Sequence, residues 1–168
     1  MLEKFYPDAQ FDSVFDISIS YLKSLGIKGI IFDIDNTLEP YENEKPSVET
    51  LNWLSLLDSS GIRVAFVSNN NKSRVEKFNG ELRYPAYHTA MKPFKKNVLK
   101  AMADIGTNAE NTMLVGDQML TDVLAAHNAK IFAVLVKPIR DKTGLFTRSK
   151  RWIESLIIKR LIKKGIVK

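Results

Sequence analysis

The sequence predicts an α/β fold in which a mainly parallel sheet is covered by helices on both faces. Two observations support this prediction. The apolar runs that resemble strands lack the in-and-out alternation of a sheet with one solvated face. Helical segments separate these runs, as in parallel strands that are joined by crossover helices. At 168 residues the chain is long enough for one domain with a hydrophobic core and short for two.

The predicted strands and helices alternate along the chain. Strand runs are predicted at residues 28–34, 63–68, 112–116 and 131–136, with a weaker one at 85–88. Ser47 is a typical helix N-cap residue, and Gly61 is a typical residue just after a helix end. Helices are predicted at residues 47–59, from the NNNKS loop to about 78, from Pro93 to about 105, and at 120–127.

Composition and the N-terminal residues exclude several classes of protein. The chain has no cysteine, which excludes disulfides and any thiolate metal or redox site. No apolar run approaches the ~18 residues that a membrane-spanning helix needs. The first residues, MLEKFYPDAQ, lack the charged-then-apolar pattern of a signal peptide. We therefore expect a cytoplasmic protein, one that can contact the inner face of a membrane.

Charge divides the chain into a nearly neutral body and a basic tail. The net charge is +6, and residues 142–168 hold nine Lys or Arg against Glu154. We predict a single domain over 1–168, with an N-terminal segment (1–27), a catalytic core (28–141) and a basic helical tail (142–168). A helix over 157–164 would separate apolar from basic side chains. Such a tail fits peripheral contact with an anionic membrane, and it equally fits a helix packed on the body.

The N-terminal segment is rich in large apolar side chains. The first interpretation is that they are core or dimer contacts, which leaves a homo-oligomer possible, and the second is that they are membrane anchors. The residues are Phe5, Tyr6, Phe11, Val14 and Phe15.

Polar side chains follow the predicted strands at the points where the strands end. Because parallel strands bring their carboxyl ends to one edge of the sheet, these side chains should meet there. A lysine in the loop before the Pro93 helix joins them. The set comprises Asp33, Asp35, Ser68, Asn69, Asp117 and Lys92.

This group of residues favours phosphoryl transfer. Several carboxylates at one edge repel each other unless a cation joins them, and an oxygen-only ligand set suits Mg²⁺. A lysine and a serine hydroxyl would donate to the remaining phosphate oxygens. One carboxylate can attack phosphorus, and a second can protonate the leaving oxygen and then activate water.

Four motifs in order resemble the signatures of the haloacid dehalogenase (HAD) superfamily. They are DIDNT at 33–37, VSNN at 67–70, KP at 92–93 and GDQMLTD at 116–122. The resemblance implies that Asp33 is the nucleophile that becomes phosphoaspartate. It implies that Asp35 is the general acid and base, with its main-chain carbonyl facing Mg²⁺. Because dehalogenases of this superfamily lack the second aspartate, Asp35 favours a phosphatase or phosphomutase.

The resemblance also implies the other roles in the site. Ser68 and Lys92 would hold the transferring phosphoryl group, with a contribution from Asn69. Asp117 would bind Mg²⁺ together with Asp33 and Asp35, and Asp122 would support the metal directly or through water. Thr37 would shape the loop and donate hydrogen bonds.

The spacing between motifs leaves no room for a cap domain of the kind many HAD enzymes carry. Asp33 and Ser68 are 35 positions apart, and Ser68 and Lys92 are 24 apart. The predicted strands, turns and helices occupy both intervals. An uncapped site suits a phosphate on something large, such as a macromolecule or a lipid headgroup.

A narrower resemblance covers nearly the whole chain. The N-terminal FYPDAQFDSVFDIS, the GDQMLTDVL run, LVKPI and TRSKRWIE are similar to the capless HAD subfamily IIIA, the YqeG-like family. That family is related to phosphatidylglycerophosphate phosphatases, which implies a lipid phosphate substrate. Ala125, Ala126 and His127 depart from the expected glycines and polar residue, which puts the local helix packing in question.

Two other functions stay open at this point. A HAD phosphatase could act on nucleic-acid ends or small phosphates, since a basic tail also suits a polyanion. A receiver-like or scaffold module would gather similar residues without turnover. Receivers, however, carry the phosphorylated aspartate in mid-chain, whereas Asp33 follows the first clear strand.

Overall fold

The computed structural model describes residues 2–140. The predicted basic helical tail at 142–168, with its proposed membrane contact, lies outside the described residues. No helix in residues 2–140 is long and apolar enough to cross a membrane.

Residues 2–140 form a six-stranded sheet in which all paired strands are parallel. Its strands lie in the order β1-β6-β5-β2-β3-β4. Their bounds are Ala9–Phe11 (β1), Gly29–Phe32 (β2), Arg63–Val67 (β3), Ala86–Tyr87 (β4), Thr112–Gly116 (β5) and Phe132–Val136 (β6). The α/β fold class predicted from the sequence is confirmed.

Short helices connect the strands. The α-helices are Ile19–Ser24 (α1), Val48–Ser59 (α2), Lys72–Asn79 (α3), Lys96–Asp104 (α4) and Leu124–Ala129 (α5). Shorter helical turns are Leu2–Phe5, Val14–Asp16 and the π-helical Met119–Val123. The Ser47 side chain accepts a hydrogen bond from the amide of Thr50, so Ser47 caps α2 as predicted.

Two of the predicted helices differ from the observed ones. Turns occupy residues 92–95, and α4 begins at Lys96 rather than at Pro93. The predicted helix at 120–127 begins as a π-helix and becomes α-helical only at Leu124. Both differences lie beside the candidate site, where contacts with other loops shape the backbone.

Strand β1 was not expected from the sequence. It has three residues, and it pairs with β6 so that Ala9 lies beside Val134 and Phe11 beside Val136. Asp8 extends this pairing, because its amide donates to the Ala133 carbonyl and its carboxylate accepts from the Ala133 amide. The N-terminal segment therefore covers the outer edge of β6.

The core lies on both faces of the sheet, which explains why the strand runs do not alternate. All four residues of β2 are buried. Ile30 and Phe32 pack in one cluster with α2, whereas Ile31 packs in the other with α4 and α5. Ala125 and Ala126, found where glycines were expected, are fully buried in that second cluster.

The connections between strands contain no inserted domain in the described part of the chain. One loop and α2 join β2 to β3, and α3 joins β3 to β4. The carboxyl edge of the sheet is thus not covered by a cap formed from residues 2–140.

Candidate active site

Asp33 lies at the centre of the carboxyl edge. It directly follows β2, and its amide donates to the carbonyl of Val115 on the neighbouring β5. The residue is 6% exposed. A buried carboxylate is costly without a partner, and Lys92 is that partner.

Lys92 is buried between two carboxylates. Its Nζ lies 2.6 Å from Asp33 Oδ1 and 2.7 Å from Asp122 Oδ1. Burial by itself would lower the pKa of this ammonium, but Asp122 and Asp33 together raise it above its ordinary value. Lys92 is therefore a fixed cation at the base of the site.

Asp122 reaches this lysine through a space that a glycine leaves. A Cβ placed on Gly116 would overlap the side chain of Asp122. The Asp122 carboxylate also accepts a hydrogen bond from the amide of Gln118, 3.0 Å away. Because Gly116 ends β5, the aspartate of the following turn can fold back against the strand.

Asp117 completes a cluster of carboxylates. One carboxylate oxygen from each of Asp33, Asp117 and Asp122 can be chosen so that all three lie within 4.8 Å of one another. Thr37 Oγ1 lies 3.4 Å from both Asp33 Oδ2 and Asp117 Oδ1, and its hydroxyl can donate to either.

The pKa values of this cluster reflect burial and mutual repulsion. Burial raises the pKa of Asp33 to about 7, against the opposing effect of Lys92. Burial also raises the pKa of Asp117, and the charges of Asp122 and Asp33 raise it further. When all three carboxylates are ionised, the one lysine among them leaves excess negative charge. With oxygen donors only, the cluster fits a hard divalent cation.

Asp35 faces a different set of partners. Its Oδ1 accepts from Arg74 Nε at 2.9 Å, and its Oδ2 accepts from Asn70 Nδ2 at 2.9 Å. The structure therefore does not bring the Asp35 carboxylate into the group formed by Asp33, Asp117 and Asp122. The prediction that its main-chain carbonyl faces a metal stays a prediction.

Ser68 and Asn69 follow β3 at the same edge. The Ser68 side chain is buried, and its hydroxyl accepts from the amide of Asn70. Asn69 uses both ends of its amide on the backbone of Lys92, donating to the carbonyl and accepting from the N–H. Asn69 thus holds the lysine loop, and its predicted contact with phosphate stays a prediction.

Arg74 is a residue that the sequence did not single out. It lies on α3 with 8% exposure, donates to Asp35 and also donates from Nη1 to the carbonyl of Glu44. Its guanidinium carbon lies 5.6 Å from the centre of the Phe78 ring. Arg74 therefore connects α3, the loop after β2 and the predicted acid–base residue.

Glu39 fixes the same loop from the other side. The carboxylate is buried and accepts from Ser47 N, Thr50 Oγ1 and Asn43 Nδ2. Burial opposes ionisation, but these hydrogen bonds lower the pKa of Glu39 below its ordinary value. The loop that carries Asp35 is thus anchored at two points.

Arg74→Met should lower kcat about 10²-fold with little change in KM for a soluble phosphomonoester, since Asp35 loses its orienting partner. Arg74→Lys should recover part of the loss, because lysine keeps the positive charge but lacks the planar guanidinium that donates to Asp35 and Glu44 together. Steady-state kinetics measure both effects. Arg63→Met is the control: Arg63 donates to carbonyls of Ile105 and Gly106 at the opposite edge and should affect stability only. An unchanged kcat in both Arg74 variants would contradict a positioning role.

The fold and the clustered acidic edge define the class of protein. A family model described as "HAD-hyrolase-like" matches residues 89–149. A solved structure of similar fold is the cobalt-bound deoxy-D-mannose-octulosonate 8-phosphate phosphatase of Haemophilus influenzae. Its TM-score is 0.56 at 16% identity, and the match covers 82% of this chain and 90% of that chain. The fold is therefore that of the HAD hydrolases.

The particular family follows from curated relatives. The chain is 36% identical over 166 residues to the probable phosphatase YqeG of Bacillus subtilis, covering 98% of this chain and 96% of that protein. The chain therefore belongs to the YqeG-like family of HAD phosphatases, and it is a phosphatase. This confirms the resemblance seen in the motifs and favours an enzyme over a receiver-like module.

A more distant relative carries a more specific name. The chain is 25% identical over 160 residues to phosphatidylglycerophosphate phosphatase 1 of Arabidopsis thaliana, a chloroplastic and mitochondrial protein. The match covers 86% of this chain and 44% of that protein, so the chain spans less than half its length.

Proposed function

We propose that the protein is a Mg²⁺-dependent phosphatase that hydrolyses phosphatidylglycerophosphate to phosphatidylglycerol through an aspartyl-phosphate intermediate. The observation that carries the proposal is the buried Asp33, held by Lys92 within a cluster of carboxylates. A carboxylate fixed in this way at the open edge of the sheet suits attack on a phosphoryl group.

The proposed reaction has two steps. In the first, an oxygen of Asp33 forms a bond to phosphorus while the bond to the ester oxygen breaks, and Asp35 gives that oxygen a proton. In the second, Asp35 takes a proton from water, whose oxygen attacks phosphorus and releases inorganic phosphate, restoring Asp33.

The remaining residues position the phosphoryl group. Lys92 and Ser68 donate to its oxygens, while Asn69 holds the Lys92 backbone in place. Asp33, Asp117 and Asp122 would hold Mg²⁺ together with the carbonyl of Asp35. The bound cation would offset negative charge on the phosphoryl oxygens.

The lipid substrate is supported by two observations. A relative is named as a phosphatidylglycerophosphate phosphatase. The residues between the strands form no cap over the site in the described part of the chain, which suits a phosphate presented on a large assembly. A cytoplasmic protein that contacts the inner face of the membrane fits this substrate.

The test is phosphate release from phosphatidylglycerophosphate in mixed micelles, with and without Mg²⁺. A sugar phosphate and a 3′-phosphorylated oligonucleotide serve as competing substrates, and the Asp33→Asn protein is the control for contaminating activity. We expect Mg²⁺-dependent release and a kcat/KM for the lipid at least about 10²-fold above the others. Preference for the oligonucleotide would instead assign the enzyme to nucleic-acid ends.

A further inference from the structure

The exposed apolar side chains of the protein are unevenly distributed. Among described residues, the four most exposed large apolar side chains are Val48 (73%), Phe94 (66%), Met91 (64%) and Tyr41 (58%). Tyr41 lies in the loop after β2, and Val48 is the first residue of α2. Met91 and Phe94 lie between β4 and α4. All four therefore belong to connections that leave the carboxyl edge, where the candidate active site lies.

Two of these side chains share a turn with the site lysine. We call residues 91–96, with sequence MKPFKK, the rim turn. The amide of Phe94 donates to the carbonyl of Met91 at 2.9 Å, which closes the turn. Lys92 points inward and is buried, whereas Met91 and Phe94 are exposed. The same turn thus contributes to the site and presents apolar surface outside it.

The rim turn is held in place by polar contacts rather than by its exposed side chains. Asn97 Nδ2 donates to the carbonyl of Ala90, and Asn128 Nδ2 donates to the carbonyl of Pro93. Met91 has φ +56°, a backbone conformation that favours Gly or Asn over a large side chain. The local fold therefore gives no reason for an exposed methionine here.

Charge around the rim turn indicates the kind of surface that it fits. Lys95 and Lys96 are exposed beside Phe94, and no acidic residue lies between Glu81 and Asp104. Apolar side chains flanked by basic ones are the pattern of segments that enter the headgroup region of anionic membranes. The connection that contains Tyr41 and Val48 also carries acidic residues, so it matches this pattern less well.

We propose that the rim turn docks on an anionic lipid bilayer, with Met91 and Phe94 in the headgroup boundary and Lys95 and Lys96 against the lipid phosphates. This deepens the proposed function, on which it rests, because docking at this edge brings the open site to headgroups in the membrane plane. It assigns membrane contact to the catalytic body, separately from the C-terminal tail.

The first experiment locates the contact. Because the chain has no cysteine, Phe94→Cys gives a single attachment point for an environment-sensitive nitrobenzoxadiazole dye. Glu110→Cys, exposed at the opposite edge just before β5, is the matched control. Vesicles of phosphatidylcholine with phosphatidylglycerol should shift the dye at 94 to the blue and raise its emission several-fold. Pure phosphatidylcholine should have a much smaller effect, and the dye at 110 should not respond.

The same labelled protein carrying Asp33→Asn should respond equally, since docking needs no turnover. The protein that keeps Asp33 separates the two proposals: if its dye at 94 responds but it hydrolyses no phosphate substrate, the proposed function alone is overturned. If the protein sediments with the vesicles but the dye at 94 does not respond, the contact lies elsewhere and the proposal that the rim turn docks is overturned. A larger response to an oligonucleotide than to vesicles would also overturn it.

The second experiment removes the apolar surface. The double variant Met91→Asn and Phe94→Ser should weaken sedimentation with phosphatidylglycerol vesicles about tenfold, since two apolar side chains no longer leave water. Asn suits the positive φ at 91, and thermal melting checks the fold. Leu56→Ser, which removes an exposed leucine near the end of α2, should bind as the unaltered protein does. Equal binding of the double variant would overturn the proposal.

Discussion

Replacing Asp33 by Asn should reduce phosphomonoester hydrolysis by a factor on the order of 10⁴ or more, because an amide cannot form the acyl phosphate. The fold should survive, since the substitution is nearly isosteric and removes one of three mutually repelling carboxylates. The measurement is kcat for a soluble phosphomonoester, together with the phosphoaspartate mass increment in acid-quenched protein.

The control for this substitution is Asp12→Asn. Asp12 pairs with Lys137 on the surface, and both side chains are largely exposed. Exposed pairs of this kind contribute little, so activity and melting temperature should stay unchanged. Turnover by the Asp33→Asn protein near the normal rate would remove Asp33 as the nucleophile.

Replacing Lys92 by Met should affect both stability and activity. The ammonium is the cation between Asp33 and Asp122, and removing one partner of a buried ion pair costs about 3–5 kcal/mol of unfolding free energy. Activity should fall about 10³-fold, since the phosphoryl group loses a fixed donor. Urea unfolding and steady-state kinetics measure the two losses.

The loss of stability in this variant should depend on pH. Lys92 lowers the pKa of Asp33, so its removal raises that pKa further above the value of about 7. A carboxyl whose folded pKa exceeds its unfolded pKa binds more protons when folded, so stability falls as pH rises between the two values. Unfolding at pH 5 should therefore show a smaller loss than at pH 8. Lys100→Met, exposed on α4, is the control, and equal losses at both pH values would contradict a charge effect.

The sequence predicted those parts of the fold that depend on buried strands. Apart from the exposed Lys28 and Arg63 that begin two of them, the runs at 28–34, 63–68, 112–116 and 131–136 are largely buried on both faces, and their continuous apolar character reflects that burial. The edge strand β1 escaped prediction because its three residues, none of them buried, are too few to establish a strand pattern. Its position depends on pairing with β6, which lies more than a hundred residues further along the chain, and on the contact of Asp8 with Ala133.

Part of the candidate site could be predicted because its residues lie at the ends of these buried strands. Asp33, Ser68 and Asp117 each follow a strand, so their proximity follows from a parallel sheet. Arg74 could not be predicted in this way, because it lies within a helix and reaches Asp35 only through the packing of α3 against the loop after β2. The direction of the Asp35 side chain, toward Arg74 and Asn70, likewise depends on tertiary contacts.

The close approach of Asp122 to Gly116 links the residue types that these two positions can carry. Gly116 lies in an ordinary strand, so a glycine is not needed here for its backbone conformation. It is needed because its missing side chain leaves the space that the Asp122 carboxylate occupies. The glycine and the aspartate six residues later form one steric unit. A relative that keeps the aspartate but carries a larger residue at the glycine position must place that carboxylate elsewhere. Matching acidic residues alone would then overstate how much of this site the two proteins share.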